Sequence, residues 1–184
     1  LASCSSELTD LQNLKEKAKT VTLTFKADGG NWSGSTNDMT LTGKEGAELT
    51  APATPAKTGY AFSAWNPAVP ATFPAADTTY TAIWNDVTSP ATVTSLTATT
   101  GSAQVTLHWT NPADSDFSKA MVEYATTAVP STVLCTYEVA GTAGAAGTYT
   151  VTGLTNGTSY TFTVYAQDDA GNRSGGVSVK ATAK

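Results

Sequence analysis

The sequence predicts a mainly β chain built from two modules, the second a seven-stranded sandwich, behind a short amino-terminal segment. Three observations carry that expectation. Only 14% of the 184 residues are charged, against the ~25% usual in soluble domains, and Thr, Ala and Gly take their place. Apolar and polar residues alternate with a period of two over many short runs, the pattern of half-buried strands. Prolines fall between those runs and exclude a long interior helix there. A chain of 184 residues fits one or two domains at roughly 100 to 200 residues each.

Residues 1–19 form the first segment. Leu8, Leu11, Leu14 and Ala18 recur at helical spacing, Ser5 or Ser6 stands where a cap belongs, and Lys15, Lys17 and Lys19 lie at the favourable carboxyl end. So short a helix is marginal alone in water, so the segment is either a docked helix or a partly helical tether. Leu1-Ala2-Ser3-Cys4 resembles a bacterial lipobox, whose cysteine receives diacylglycerol. The resemblance implies a lipid anchor on Cys4, membrane attachment and a bacterial cell-surface address. Ser5 and Ser6, where a retention signal would place aspartate, imply the outer membrane in a Gram-negative organism. The alternatives are an incidental cysteine, or a Cys4–Cys135 disulfide in an oxidising compartment. No apolar run approaches the ~20 residues needed to cross a bilayer.

Residues 20–86 make the first module. Val21, Leu23 and Phe25 alternate with Thr20, Thr22 and Thr24, which is a strand with one buried face. Asp28-Gly29-Gly30 breaks it. Met39 and Leu41, then Tyr60 and Phe62, then Tyr80, Ala82 and Trp84 continue the alternation, while Pro52, Pro55, Pro67, Pro70 and Pro74 exclude a helix between residues 50 and 75. Val21-Thr22-Leu23-Thr24-Phe25, Ala27-Asp28-Gly29-Gly30, Leu49-Thr50-Ala51-Pro52, Lys57-Thr58-Gly59-Tyr60-Ala61-Phe62, Trp65 and Thr79-Tyr80-Thr81-Ala82-Ile83-Trp84 occur in that order. The series resembles the Listeria-Bacteroides repeat, the internalin B-repeat family, and departs from it in having Ala64 where glycine usually precedes the tryptophan. The resemblance implies a small β-grasp-like module of bacterial surface proteins.

The aromatics Tyr60, Phe62, Tyr80 and Trp84, with Trp32, Trp65 and Phe73, have two readings, a stacking platform for sugar or a core. A domain of ~60 residues buries only ~60% of its surface and needs its aromatics inside, so Tyr60, Phe62 and Trp84 are expected in the core. Trp32, within the polar run from Gly29 to Asn37, is expected to be exposed and is the candidate ligand contact.

Residues 87–90 read as a polar linker ending at Pro90, and residues 91–184 as the second module. Strand-like runs recur at Val93–Ala98, Val105–Thr110, Met121–Thr127, Val133–Val139, Tyr149–Leu154, Tyr160–Gln167 and Val177–Ala183, the number and spacing of an immunoglobulin-like sandwich. Alternation places Trp109 in the core and His108 in water. Val105-Thr106-Leu107-His108-Trp109 before Asn111-Pro112, Val122-Glu123-Tyr124, and Leu154-Thr155-Asn156-Gly157-Thr158-Ser159-Tyr160 leading into Thr161 to Ala166 resemble a fibronectin type III domain over the whole module. That resemblance implies a tyrosine corner, with the Tyr160 hydroxyl bonded to backbone near Leu154, and a spacer or protein-binding role. In such a strand order the loops Asn111–Ser118, Gly141–Gly147 and Asp168–Gly176 share one pole, gathering Asp114, Asp116, Asp168 and Asp169 into a candidate acidic pole that is expected to face the first module.

Function is bounded mainly by exclusion. A net charge of -5 without clustered Lys or Arg argues against nucleic acid. One histidine, His108, with no Cys or Asp beside it, offers no nucleophile–base set, so no enzyme, cofactor or metal is expected. Asp114, Asp116, Asp168 and Asp169 lack EF-hand spacing and read as turn formers before calcium ligands. The expectation is a monomeric, non-enzymatic, lipid-anchored surface protein that presents or spaces an adhesion-type surface for extracellular protein. The alternatives are a carbohydrate-binding accessory protein that contacts glycan through Trp32, and a stalk without a ligand.

Overall fold

A computed structural model describes residues 19–129 and 132–184 of the chain. The expected lipidation site Cys4, and all of the expected helix or tether except Lys19, lie outside the described residues. Among the described residues the regular elements are strands alone, and the chain divides between Asp86 and Val87 into two compact units.

The first unit is one four-stranded sheet in the order β2-β1-β4-β3, formed by β1 (Thr20–Lys26), β2 (Met39–Lys44), β3 (Tyr60–Asn66) and β4 (Thr78–Asp86). The central pair β1 and β4 is parallel, from Leu23 opposite Thr78 to Lys26 opposite Thr81, and the outer pairings are antiparallel. Two antiparallel outer pairs are thus joined through a parallel central pair. Val21, Leu23 and Phe25 are fully buried on one face with Tyr80 and Ala82, while the threonines between them face outward. Residues 46–49 and 71–73 close over the apolar face: the Leu49 amide donates to the Ala71 carbonyl and the Phe73 amide to that of Ala47, both at 2.8 Å. Leu49 and Phe73 complete the core. Gly43 is required beneath Phe73, where a Cβ would come within 2.4 Å of the ring.

The second unit is a sandwich of a four-stranded sheet, β11-β10-β7-β8, and a three-stranded sheet, β5-β6-β9. Its strands are β5 (Thr94–Gly101), β6 (Gln104–Thr110), β7 (Phe117–Thr126), β8 (Cys135–Ala140), β9 (Ala146–Thr152), β10 (Ser159–Asp168) and β11 (Val177–Thr182). Val105, Leu107 and Trp109 of β6 meet Val122 of β7, Val151 of β9 and Phe162 and Val164 of β10 in one buried cluster. The tyrosine corner forms as the family resemblance implies: the Thr155 amide donates to the Tyr160 hydroxyl at 3.1 Å. β7 begins at Phe117 rather than Met121: Ala120 and Lys119 continue the regular pairing with Ala166 and Gln167, and beyond a bulge between Gln167 and Asp168 Phe117 pairs with Asp168 and is buried.

Candidate functional site

Register fixes where the candidate residues of the second unit lie. Thr110 pairs with Ala146, Asp168 with Phe117, and Lys119 with Ala140, so the β6–β7, β8–β9 and β10–β11 loops leave the sandwich at the same end. Thr94 of β5 pairs with Thr110, so the first strand starts there too. Asp114 accepts a hydrogen bond from the Ala91 amide at 3.2 Å, and the Asp116 carbonyl accepts one from the Asp169 amide at 3.0 Å. Asp116 and Asp168 bring carboxylate oxygens within 4.8 Å of each other.

Asp168 departs from its expected place on an acidic surface. It is 2% exposed, and its carboxylate accepts from the backbone amide of Asn172 at 2.7 Å and from that residue's side-chain amide at 2.9 Å. Tyr160, Phe162, Val164 and Ala166 all point inward on β10, and a period of two carries Asp168 to the same face, where a buried carboxylate must be hydrogen-bonded. Asp169 remains exposed, and Asp114 and Asp116 are half-buried.

His108 is exposed on β6. Trp109, its neighbour, is 3% exposed and donates from Nε1 to Asn111 Oδ1 at 2.7 Å. Asn111 in turn donates to the Thr142 carbonyl at 3.1 Å, which ties the loop at this end to the core. Cys135 carries a free, half-buried thiol. It lies opposite Tyr124 in register, near the stacked pair Tyr124 and Tyr137, whose rings are 6.3 Å apart and nearly parallel. The Cys135 side chain above all, then burial and then Tyr124, raise the Tyr137 hydroxyl well above the ordinary tyrosine pKa.

One surface of the sandwich combines exposed apolar residues with polar walls. Val129, Val133 and Leu134, between β7 and β8, are about half exposed, and the Leu134 amide donates to the Tyr124 carbonyl at 2.8 Å. Beside them a small cavity of about 90 Å³ is lined by residues that include Glu123, Tyr124, Val133, Thr161 and Tyr165. Arg173 braces it, with its guanidinium 4.2 Å from the Tyr165 ring and paired to Glu123 at 2.9 Å.

The aromatics of the first unit divide differently from expectation. Phe25, Phe73 and Tyr80 are core, with Phe25 and Tyr80 stacked at 5.0 Å. Tyr60, Phe62 and Trp84 are not: Tyr60 is 40% exposed, and Phe62 and Trp84 are half-buried. The covering segments close over the β1 end of the sheet and leave the end near Tyr60 open. Trp32, expected to be exposed, is half-buried. It stacks on Trp65 at 6.4 Å, and its Nε1 donates to the Ala53 carbonyl at 3.0 Å, so a polar sequence neighbourhood did not keep its ring in water.

A hollow lies beside β4, a cavity of about 420 Å³ lined by residues that include Asp28, Lys57, Tyr60, Asn66, Thr81 and Trp84. Pairing of β1 with β4 stops at Lys26 and Thr81, and the turn at Asp28 and Gly29, both at positive φ, takes the chain away while β4 runs on to Asp86. Trp84 spans the gap, donating from Nε1 to the Ala27 carbonyl at 2.9 Å. Lys57 Nζ lies 4.4 Å from the Tyr60 ring centroid and 5.7 Å from that of Trp84, and donates to the Asp28 carbonyl at 3.3 Å. Nothing in the spacing of Asp28, Lys57, Asn66 and Thr81 marked them as neighbours.

The fibronectin type III domain family matches residues 88–181. Among solved structures, the FN1–FN3 domains of chicken CNTN1 are similar at 14% identity and a TM-score of 0.46, over 58% of this chain and 35% of that one, so the chain spans about a third of that structure. The fn3 domain of the human collagen alpha-1(XX) chain is similar at 22% identity and a TM-score of 0.44, over 52% of this chain and 87% of that one. A myokine structure is similar at 18% identity and a TM-score of 0.40, over 52% of this chain and all of that one. No curated protein matches the chain significantly.

Proposed function

We propose, for a chain that belongs to the fibronectin type III domain family through its residues 88–181, a non-enzymatic role: a lipid-anchored bacterial surface protein that presents a protein-binding surface on its second unit. The observation that carries this reading is the exposed apolar group Val129, Val133 and Leu134 beside the braced wall of Glu123, Tyr165 and Arg173. Apolar anchors rimmed by ordered polar residues are the anatomy of a recognition surface. The sequence resemblances of residues 1–4 to a lipobox and of residues 20–86 to the Listeria-Bacteroides repeat support the anchor and the bacterial surface address.

Surface plasmon resonance of the full chain against fibronectin, fibrinogen, laminin and collagen tests the binding. A Leu134→Asp variant is expected to lose it, because a charge at the centre of an apolar contact remains desolvated and unpaired. Binding unchanged by Leu134→Asp would move the surface elsewhere, and no binding at all would favour the stalk. Anchoring is tested by expression of the precursor with labelled palmitate. Label retained in Cys4→Ala removes the anchor from the reading.

A further inference from the structure

We infer that the hollow beside β4 in the first unit is a subsite for a neutral hexopyranose residue of a polysaccharide. This inference does not depend on the protein-binding reading of the second unit. The hollow is lined by two aromatic residues, Tyr60 at 40% exposed and half-buried Trp84, and by the polar residues Asp28 and Lys57, while Asn66 and Thr81, paired in register, border it from the opposite face of the sheet. Its volume of about 420 Å³ falls low in the ~300–1,000 Å³ range of small-ligand sites.

The chemistry selects the ligand in three steps. Among the described residues no ion pair holds Lys57 or Asp28, so one cation and one anion without carboxylate or ammonium partners line the same hollow. An anionic ligand meets Asp28 and a cationic one meets Lys57, whereas a neutral ligand rich in hydroxyls satisfies both. A pyranose supplies that, since each hydroxyl both donates and accepts, a carboxylate only accepts and an ammonium only donates.

The second step is apolar. One face of a hexopyranose is a patch of C–H bonds that packs on the negative face of an aromatic ring, and Tyr60 with Trp84 provides such a surface at the open end of the sheet. Lys57 Nζ lies over the Tyr60 and Trp84 rings at 4.4 and 5.7 Å, which orders both side chains before ligand arrives, so less ordering entropy is lost on binding. The third step is shape. The hollow is an open recess beside a strand, which suits one residue of a chain whose neighbours continue into solvent better than a free small molecule needing enclosure on most of its surface. Trp32, with its Nε1 bonded to the Ala53 carbonyl and its ring on Trp65, takes no part.

Affinity gel electrophoresis of the full chain in hydroxyethylcellulose, mixed-linkage β-glucan, galactomannan and, as the anionic comparison, polygalacturonate tests the site. At least one neutral polymer is expected to retard the chain, and Tyr60→Ala and Asp28→Asn each to weaken that retardation by tenfold or more, with Leu134→Asp unchanged. Tyr60 is exposed and Asp28 holds a φ of 47°, which asparagine tolerates, so both variants are expected to fold, as a thermal midpoint near that of the parent chain will show. Should one of them unfold, the other decides. Retardation by no neutral polymer, by polygalacturonate alone, or equally in the parent chain and in the folded variants, overturns the inference.

Discussion

Replacing Trp109 with alanine tests the packing of the second unit most directly. The indole is buried at the centre of the β6, β7, β9 and β10 cluster, and a Trp→Ala change in a core costs about 3 to 5 kcal/mol. Two features place this site high in that range. Gly147 lies against the ring, so close that a Cβ there would be 2.3 Å from the indole, and glycine has no side chain with which to refill the cavity. Asn111, only 4% exposed, loses the Nε1–H donor at 2.7 Å, and an orphaned buried acceptor costs about 1 to 3 kcal/mol, part of which overlaps with the cavity cost. Each kcal/mol moves the midpoint of a domain this size by roughly 4 to 8 °C, so a fall on the order of 12 to 40 °C is expected. The four tryptophans make the assay selective, since Trp32, Trp65 and Trp84 belong to the first unit. In the variant all indole emission therefore reports the first unit, while far-UV circular dichroism reports both. A circular-dichroism transition of the second unit lying within about 5 °C of that of the parent chain would refute the burial argument.

Gly147→Ala places a methyl into the Trp109 ring and is expected to cost about 1 to 3 kcal/mol by overpacking, read as a lower urea midpoint with unchanged slope. Tyr160→Phe removes the acceptor of the Thr155 amide and is expected to cost about 0.5 to 1.5 kcal/mol; thermal melting that matches the parent chain would show the corner to be dispensable. Tyr137 holds its proton more tightly folded than unfolded, chiefly through the Cys135 side chain. Its stabilising contribution is therefore complete below the unfolded pKa of ~10 and is lost as pH rises through and above that value. Ultraviolet titration is expected to show one tyrosine ionising late, and Cys135→Ala is expected to bring that ionisation earlier.

The strands were legible because both units bury one face of each sheet, so Val21, Leu23 and Phe25, or Val105, Leu107 and Trp109, had to alternate with polar neighbours. The same logic explains what was missed. A period of two says which residues share a face and says nothing of how far that face is covered. Tyr60, Phe62 and Trp84 do share the inner face with Tyr80, yet Leu49 and Phe73 cover only the other end. Trp32 misled for a related reason, since its burial comes from Trp65, thirty-three positions away, and no local pattern encodes that contact. Asp168 was legible in principle, as the next inward position after Tyr160, Phe162, Val164 and Ala166; its charge obscured its register. The hollow at Lys57 was not legible, because it arises where β1 ends before β4, an offset set by strand pairing.

That offset also weighs against a purely structural reading of the hollow. Trp84 already closes the gap to Ala27 through its own Nε1, and Lys57 reaches the Asp28 backbone carbonyl while the Asp28 carboxylate makes no ion pair among the described residues. The acidic loops of the second unit are the counter-example. There Asp114 accepts from the Ala91 amide and Asp168 from Asn172, so those carboxylates serve the turns that hold them, as short polar side chains in loops commonly do. A carboxylate already bonded to its own turn has less capacity left for a ligand. By that criterion Asp28 is the better placed acceptor for the sugar proposed above, since its carboxylate makes no ion pair among the described residues.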